Sequence, residues 1–126
     1  MDPEVAYLYE PGDIDSASVE MLPDSPALYA FQVVLSGEAD PLWRRAFDQV
    51  WRESRYLGKL DALVVGDRIR FICSQRQGMT DYLYLIESRI RETNRRMEAH
   101  WRAKRIPTKT LRYQHYPSSF IPLVKI

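Results

Sequence analysis

The sequence has few of the residues that build disulfide bonds, metal sites and phosphate sites. Its only cysteine is Cys73, which excludes an intramolecular disulfide and every multi-cysteine metal motif. The two histidines, His100 and His115, are far apart and form no ligand pair at helical spacing. The five glycines occur singly, and none forms a phosphate-binding loop. We therefore expect no catalytic residue, no cofactor and no metal, and we expect that the protein is not an enzyme.

Long apolar runs are also missing. No segment approaches the roughly 18–20 apolar residues of a membrane-spanning helix. The beginning of the chain, with Asp2 and Glu4, is acidic and unlike a signal peptide. These features predict a cytoplasmic protein without a membrane partner.

The charged residues that are present are unevenly distributed. Residues 1–43 contain nine acidic and no basic residues, whereas residues 99–126 contain six basic and no acidic residues, and the net charge is +1. One interpretation is that the two ends of the chain lie against each other, or against the opposite ends in a dimer. The other is a basic arm that binds nucleic acid.

A length of 126 residues predicts a single domain over residues 1–126. We expect a core over about residues 26–114, an N-terminal extension over residues 1–25 and a C-terminal tail over residues 107–126. Residues 10–26 contain three prolines and many acidic or serine residues, which predicts an irregular acidic loop. The preceding residues, Val5 to Tyr9, are typical of a short edge strand.

The patterning of the core predicts alternating strands and helices. The expected elements are a strand at Ala27–Leu35, a helix from Pro41 to near Gly58 with Asp40 as its N-cap, a hairpin of Leu60–Val65 and Arg68–Ser74 around Gly66–Asp67, a helix from Thr80 to before Pro107, and a last strand at Thr110–Gln114. This order predicts an α+β protein with the ferredoxin-like split βαβ arrangement, β-α-β-β-α-β. Its antiparallel sheet would have four strands, with both helices on one face.

Helical spacing predicts that the first helix buries Trp43, Phe47, Val50 and Trp51. Alternation along the second hairpin strand places Cys73 on the helix side, as a buried apolar residue rather than a nucleophile. In the second helix, Asn94 interrupts the apolar stripe, which indicates a polar contact there.

The same alternation predicts an apolar open face on the sheet, opposite the helices. The residues expected there are Leu28, Gln32, Val34, Leu63, Val65, Arg70 and Ile72. Because monomers seldom expose large apolar patches, we expect the chain's own ends, Val5 to Tyr9 and Phe120 to Val124, or a second subunit to cover this face. The resulting hypothesis is a small protein–protein interaction module, an accessory or regulatory subunit that self-associates through this face.

The alternative hypothesis is an accessory protein that binds nucleic acid through its second helix and C-terminal tail. The basic residues that would contact phosphates are Arg91, Arg95, Arg102, Arg105, Lys109 and Arg112. The open face carries no aromatic residue by this alternation, so base stacking on the sheet is not expected.

Overall fold

The computed structural model describes residues 4–56, 59–75, 79–112 and 120–121. In chain order, the elements are β1 (Ala6–Tyr9), β2 (Pro11–Met21), β3 (Leu28–Leu35), α1 (Pro41–Glu53), β4 (Ala62–Val65), β5 (Arg68–Ser74), α2 (Met79–Ala103), β6 (Thr108–Leu111) and β7 (Phe120–Ile121). The predicted α+β class is confirmed.

The strands form one antiparallel sheet and one separate parallel pair. The larger sheet has the order β4-β5-β3-β2-β7, and β1 pairs with β6 in parallel. The hairpin of β4 and β5 turns at Gly66, whose φ of 63° suits a glycine. The pairing of β1 with β6 and of β2 with β7 confirms that the two ends of the chain lie against each other.

The ferredoxin-like strand order is found only in part. Strands β4, β5 and β3 have the predicted neighbours, but β2 takes the place beside β3 that the last strand would occupy. The strand predicted as the last, at Thr110–Gln114, corresponds to β6 (Thr108–Leu111), which pairs with β1 instead. Glu10, between β1 and β2, exchanges hydrogen bonds with Ser36, which extends the pairing with β3. The N-terminal segment thus supplies hydrogen-bond partners along the edge of β3, and the Ser18 hydroxyl accepts from the Gln32 backbone amide where the register breaks.

The predicted acidic loop over residues 10–26 is wrong for most of its length. Residues Pro11–Met21 form β2, which pairs with β3 and departs from regular register between Asp15 and Glu20. Few of its residues favour strands, so local propensity predicted a loop. Tertiary pairing overrides that propensity, because β3 presents a free row of backbone groups and β5 presents arginines to the acidic side chains of β2.

Helix α1 begins as the sequence predicts. Asp40 is the N-cap and its Oδ1 accepts a hydrogen bond from the Trp43 amide at 2.9 Å, while Pro41 begins the helix. The helix ends at Glu53, before the expected stop near Gly58, which lies outside the described residues. The Lys59 ammonium explains this end, since it donates to the Ser54 carbonyl at 2.7 Å and also to the Trp51 carbonyl.

Both helices pack on one face of the sheet. The four residues predicted for α1, Trp43, Phe47, Val50 and Trp51, are all buried. Helix α2 begins one residue before the expected Thr80 cap. The core between the layers consists of β3 and β5 residues together with α1 and α2 residues, among which the sequence reasoning missed Tyr82 and Thr93. Tyr82 donates a hydrogen bond to the Ile72 carbonyl at 2.8 Å, which fixes the start of α2 on β5.

The polar contact predicted at Asn94 is confirmed. Its Oδ1 accepts from Trp43 Nε1 at 2.8 Å and from the Tyr9 amide at 3.3 Å, and its Nδ2 donates to the Tyr9 carbonyl at 2.7 Å. One side chain therefore connects α2 to both α1 and β1. Strand β1 lies on the helix side of the sheet, where Leu8 and Tyr9 belong to the core.

Candidate functional site

The outer face of the five-stranded sheet, opposite the helices, is crossed by two arginines of β5. Arg68 reaches Asp15 on β2 at 2.5 Å and Gln32 on β3 at 3.1 Å. Arg70 reaches Glu20, also on β2, at 2.7 Å. Because β3 lies between β5 and β2, both side chains pass over β3 to reach their acidic partners.

The crossing arginines divide the face that the sequence predicted to be apolar and open. Under them, Ala30 is 1% exposed and Val34 is fully buried. Gln32 takes part in the same polar network: its side-chain oxygen accepts from Arg68, and its backbone amide donates to Ser18 Oγ at 2.8 Å. Val34 and Gln32 therefore do not form the centre of an apolar contact surface, which corrects the expectation of one continuous apolar face.

The apolar residues that remain accessible on this face lie at the β4 side. Leu63 is 62% exposed and Val65 is 58% exposed, while Leu28 and Ile72 are half-buried. Register places Leu63 opposite Arg70, so these two predicted site residues are neighbours. Alternation along the chain places the exposed Asp61 on the same side as Leu63 and Val65. We name these three residues, Asp61, Leu63 and Val65, the β4 corner.

The described parts of the two ends that the sequence offered as covers for this face do not lie over the β4 corner. The first, Val5 to Tyr9, lies on the helix side as β1, because Tyr9 packs edge-on against Trp43 with ring centroids 5.3 Å apart. The second contributes β7, which extends the sheet beyond β2 at the opposite edge, and residues 122–124 lie outside the described residues.

Strand β4 ends the sheet, with β5 as its only neighbour within the described ranges. The Ile72 amide donates to the Asp61 carbonyl at 3.0 Å, and the hairpin has a two-residue turn. In an antiparallel ladder with this register, the amides and carbonyls of residues 61, 63 and 65 point toward β5. The amides and carbonyls of Ala62 and Val64 consequently point away from the sheet.

A groove runs along this free edge on the helix side. It has a volume of about 420 Å³ and lies between α1 and β4. Its lining residues are Pro41, Arg44, Arg45, Phe47, Asp48, Ala62, Leu63 and Val64. The turn beside it is tied to the β3–α1 connection, since the Gly66 carbonyl accepts from the Ala39 amide at 3.0 Å. The edge and the helix are thus held at a fixed separation.

The basic residues proposed for nucleic-acid contact fall into two groups. Arg91, Arg95 and Arg102 share one exposed face of α2, but each forms an ion pair with a nearby glutamate of the same helix. Arg105 lies in the turn after α2, Lys109 lies on β6 and Arg112 follows β6. These last three have no ion pair within the part of the chain that the structure describes.

No group of three potential metal ligands is found among the described residues. Cys73 is buried, as expected, and burial raises the pKa of its thiol, which disfavours the nucleophilic thiolate. No helix in the described ranges combines the length and hydropathy needed to cross a membrane.

The sequence reasoning missed the groove and the free edge. The hairpin around Gly66 was a usable signal, because in the predicted strand order its first strand is an edge strand. Arg44 and Arg45 are exposed on α1, and only the position of β4 shows that they border a groove.

No family model matches the chain, and the comparisons with curated proteins and with solved structures found no match.

Proposed function

We propose that this protein is a small non-enzymatic interaction module that self-associates through the β4 corner. The observation that carries the proposal is the exposure of Leu63 and Val65, two adjacent outward-facing aliphatic residues on an edge strand. Edge strands of monomers are commonly protected by lysine, proline or a bulge. The sequence of β4, Ala-Leu-Val-Val, contains none of these.

A second copy of the chain fits this surface because its charges are self-complementary. The β4 corner contains the exposed Asp61, and the half-buried Asp67 and Arg70 lie beside it. In a two-fold arrangement, the acid of one copy can approach the arginine of the other while the aliphatic residues meet at the centre. Such a surface has the apolar centre and polar border of a protein interface.

The small size of the patch predicts a weak dimer. Interfaces below about 1,200 Å² of total buried surface are typical of transient complexes. We therefore expect a monomer–dimer equilibrium that depends on protein concentration.

Sedimentation velocity over a series of protein concentrations tests the proposal. Wild type should show a rise in weight-average mass with concentration, and Leu63→Asp should abolish the rise by placing a charge at the centre of the contact. Val19→Asp is the matched control, since Val19 is an exposed aliphatic residue on β2, across the sheet. A concentration-independent monomer in wild type, or equal association in Leu63→Asp, would refute the proposal.

We also propose that β3 to β6 is a ferredoxin-like split βαβ unit whose last strand is displaced by β2. The order β4-β5-β3 and the placement of both helices on one face support this interpretation. Deletion of residues 1–21 would test it: the truncated chain should refold with β6 beside β3. Hydrogen exchange of the β6 amides in the truncated chain measures this pairing. Slow exchange is expected, and fast exchange of these amides would contradict the interpretation.

The second candidate function, nucleic-acid binding, is supported by one observation: Arg105, Lys109 and Arg112 lie close in sequence and lack ion pairs within the described residues. Replacing all three by alanine should weaken retention on a nucleic-acid column and reduce its salt dependence, whose log–log slope is roughly −0.7 to −0.9 per phosphate contact. Absence of retention of wild type at low salt would exclude this function.

A further inference from the structure

We propose that the groove between α1 and β4 binds an extended acidic peptide segment of a partner protein, which adds to the sheet as a strand beside β4. This inference goes beyond self-association. It uses the free edge and the helix-facing side of β4, whereas Asp61 and Val65 of the β4 corner lie outside the groove lining.

The backbone of β4 supplies the first part of the argument. The outward-pointing amides and carbonyls of Ala62 and Val64 offer two donors and two acceptors to an incoming strand. A strand added to an exposed sheet edge gains its affinity from such main-chain hydrogen bonds. Four residues of β4 match the length of a short linear segment.

The walls of the groove supply the second part. The side chains of Ala62 and Val64 are half-buried on the helix side, next to the buried ring of Phe47. An added strand would direct alternate side chains into this apolar floor and the others away from it. Specificity for apolar residues at every second position follows from that geometry.

The charge of the rim identifies the chemistry of the occupant. Arg44 and Arg45 line the groove, and both are exposed without an ion pair within the described residues. The acidic residue at the rim, Asp48, pairs with Arg52 on the next turn of α1. The groove therefore presents uncompensated positive charge, which favours a segment that carries glutamate or aspartate residues.

Proline scanning of the edge distinguishes this binding mode from adsorption to the surface. Ala62→Pro removes an outward-pointing amide and spares the ladder to β5, and proline is tolerated at the first residue of an edge strand. Ala62→Ser is the matched control, because it keeps the amide at the same position. The double variant Arg44→Glu/Arg45→Glu tests the charge of the rim independently of the strand, so that an unfolded proline variant does not remove the test.

The probe is a phage-displayed library of random octapeptides, selected on wild type after counter-selection on Ala62→Pro. We expect enrichment of sequences in which the groove-facing positions, two residues apart, combine apolar residues over the floor with acidic residues near Arg44 and Arg45. An enriched peptide, measured by fluorescence polarisation, should bind Ala62→Pro and the double arginine variant at least about tenfold more weakly than wild type, the equivalent of one lost hydrogen bond or charge contact. Its affinity for Ala62→Ser should exceed its affinity for Ala62→Pro, because serine keeps the outward-pointing amide and changes only the side chain at the groove floor.

Absence of enrichment, enrichment of basic sequences, or equal affinity for the double arginine variant would overturn the proposal. Equal affinity for a folded Ala62→Pro variant, verified by circular dichroism, would also overturn it. The outcome is separate from that of self-association. Val65→Asp, which changes a β4 corner residue outside the groove lining, should abolish the dimer and retain peptide binding. The double arginine variant should lose peptide binding and retain the dimer.

Discussion

Replacing Asn94 by alanine removes the side-chain amide that connects α2 to α1 and to β1. The change leaves three groups without their partner: Trp43 Nε1 and the amide and carbonyl of Tyr9. Trp43 is fully buried and Tyr9 is only 3% exposed, so water has little access to replace the lost hydrogen bonds. The expected result is a large loss of stability with no loss of apolar surface burial.

The magnitude follows from the lengths of the three hydrogen bonds. Two are short, at 2.8 Å and 2.7 Å, and the third is longer, at 3.3 Å. An unsatisfied buried polar group costs about 1–3 kcal/mol, so the two short bonds account for a loss of about 2–6 kcal/mol. Domains of this size are stable by about 5–15 kcal/mol, which makes the effect a large fraction of the total.

Urea titration monitored by tryptophan fluorescence measures the change in the free energy of unfolding. Arg95→Ala is the control at the adjacent exposed position and should stay within about 0.5 kcal/mol of wild type. Asn94→Asp sharpens the test, because only its protonated form can donate to the Tyr9 carbonyl. The folded state should therefore raise the pKa of Asp at this position, so that the variant is closest to wild type at low pH and loses stability as the pH rises. A loss below about 1 kcal/mol for Asn94→Ala would refute the assignment of this contact as a structural connection.

Three further predictions concern the core, a helix end and an ion-pair network. Phe47→Ala should cost about 3–5 kcal/mol in a urea titration, because the ring is buried between α1 and the sheet; a loss below about 1 kcal/mol would contradict this position. Arg105 has a φ of 58° at the end of α2, a left-handed conformation that is unfavourable for a residue with a side chain. Arg105→Gly should therefore raise the free energy of unfolding by about 0.5–1 kcal/mol, and an unchanged or lower value would contradict this strain. Hydrogen bonds from Arg96 lower the pKa of Glu92 and Glu53 from 4.5. The two carboxylates therefore stabilise the fold above that pH, and this stabilisation is lost as the pH falls through the lowered pKa values. Thermal melts should show a weaker dependence of the melting temperature on acid pH in Arg96→Gln than in wild type, and equal dependence would contradict the prediction.

The parts of the fold that the sequence predicted are those where local signals and tertiary packing agree. The cap at Asp40, the apolar stripe of α1 and the turn at Gly66 each have a local physical cause, and each is found in the structure. Asn94 was recognised as an interruption of a stripe, but its partners come from residues 51 and 85 positions away in the chain. No local pattern specifies contacts at that distance.

Strand β2 escaped prediction for a related reason. Its residues gain little from strand propensity, and their pairing depends on Arg68 and Arg70, which follow more than forty residues later in the chain. Alternation predicted correctly that these arginines point away from the helices. It did not predict that they would reach across β3, because the acidic partners were assigned to a loop.

The position of β2 also determines which edge of the sheet is available. Strand β2 of the N-terminal segment pairs with β3 and covers that edge of the central strands, and β7 pairs with the other edge of β2. The arginines that neutralise β2 then cover the outer face of β3, where Ala30 and Val34 are buried, while Leu63 and Val65 on β4 stay exposed. At the opposite edge, no strand of the described ranges pairs with the outer side of β4, which follows the connection from α1 and ends in a tight turn. Both proposals for this protein therefore converge on β4, and they differ in which side of that one strand the partner contacts.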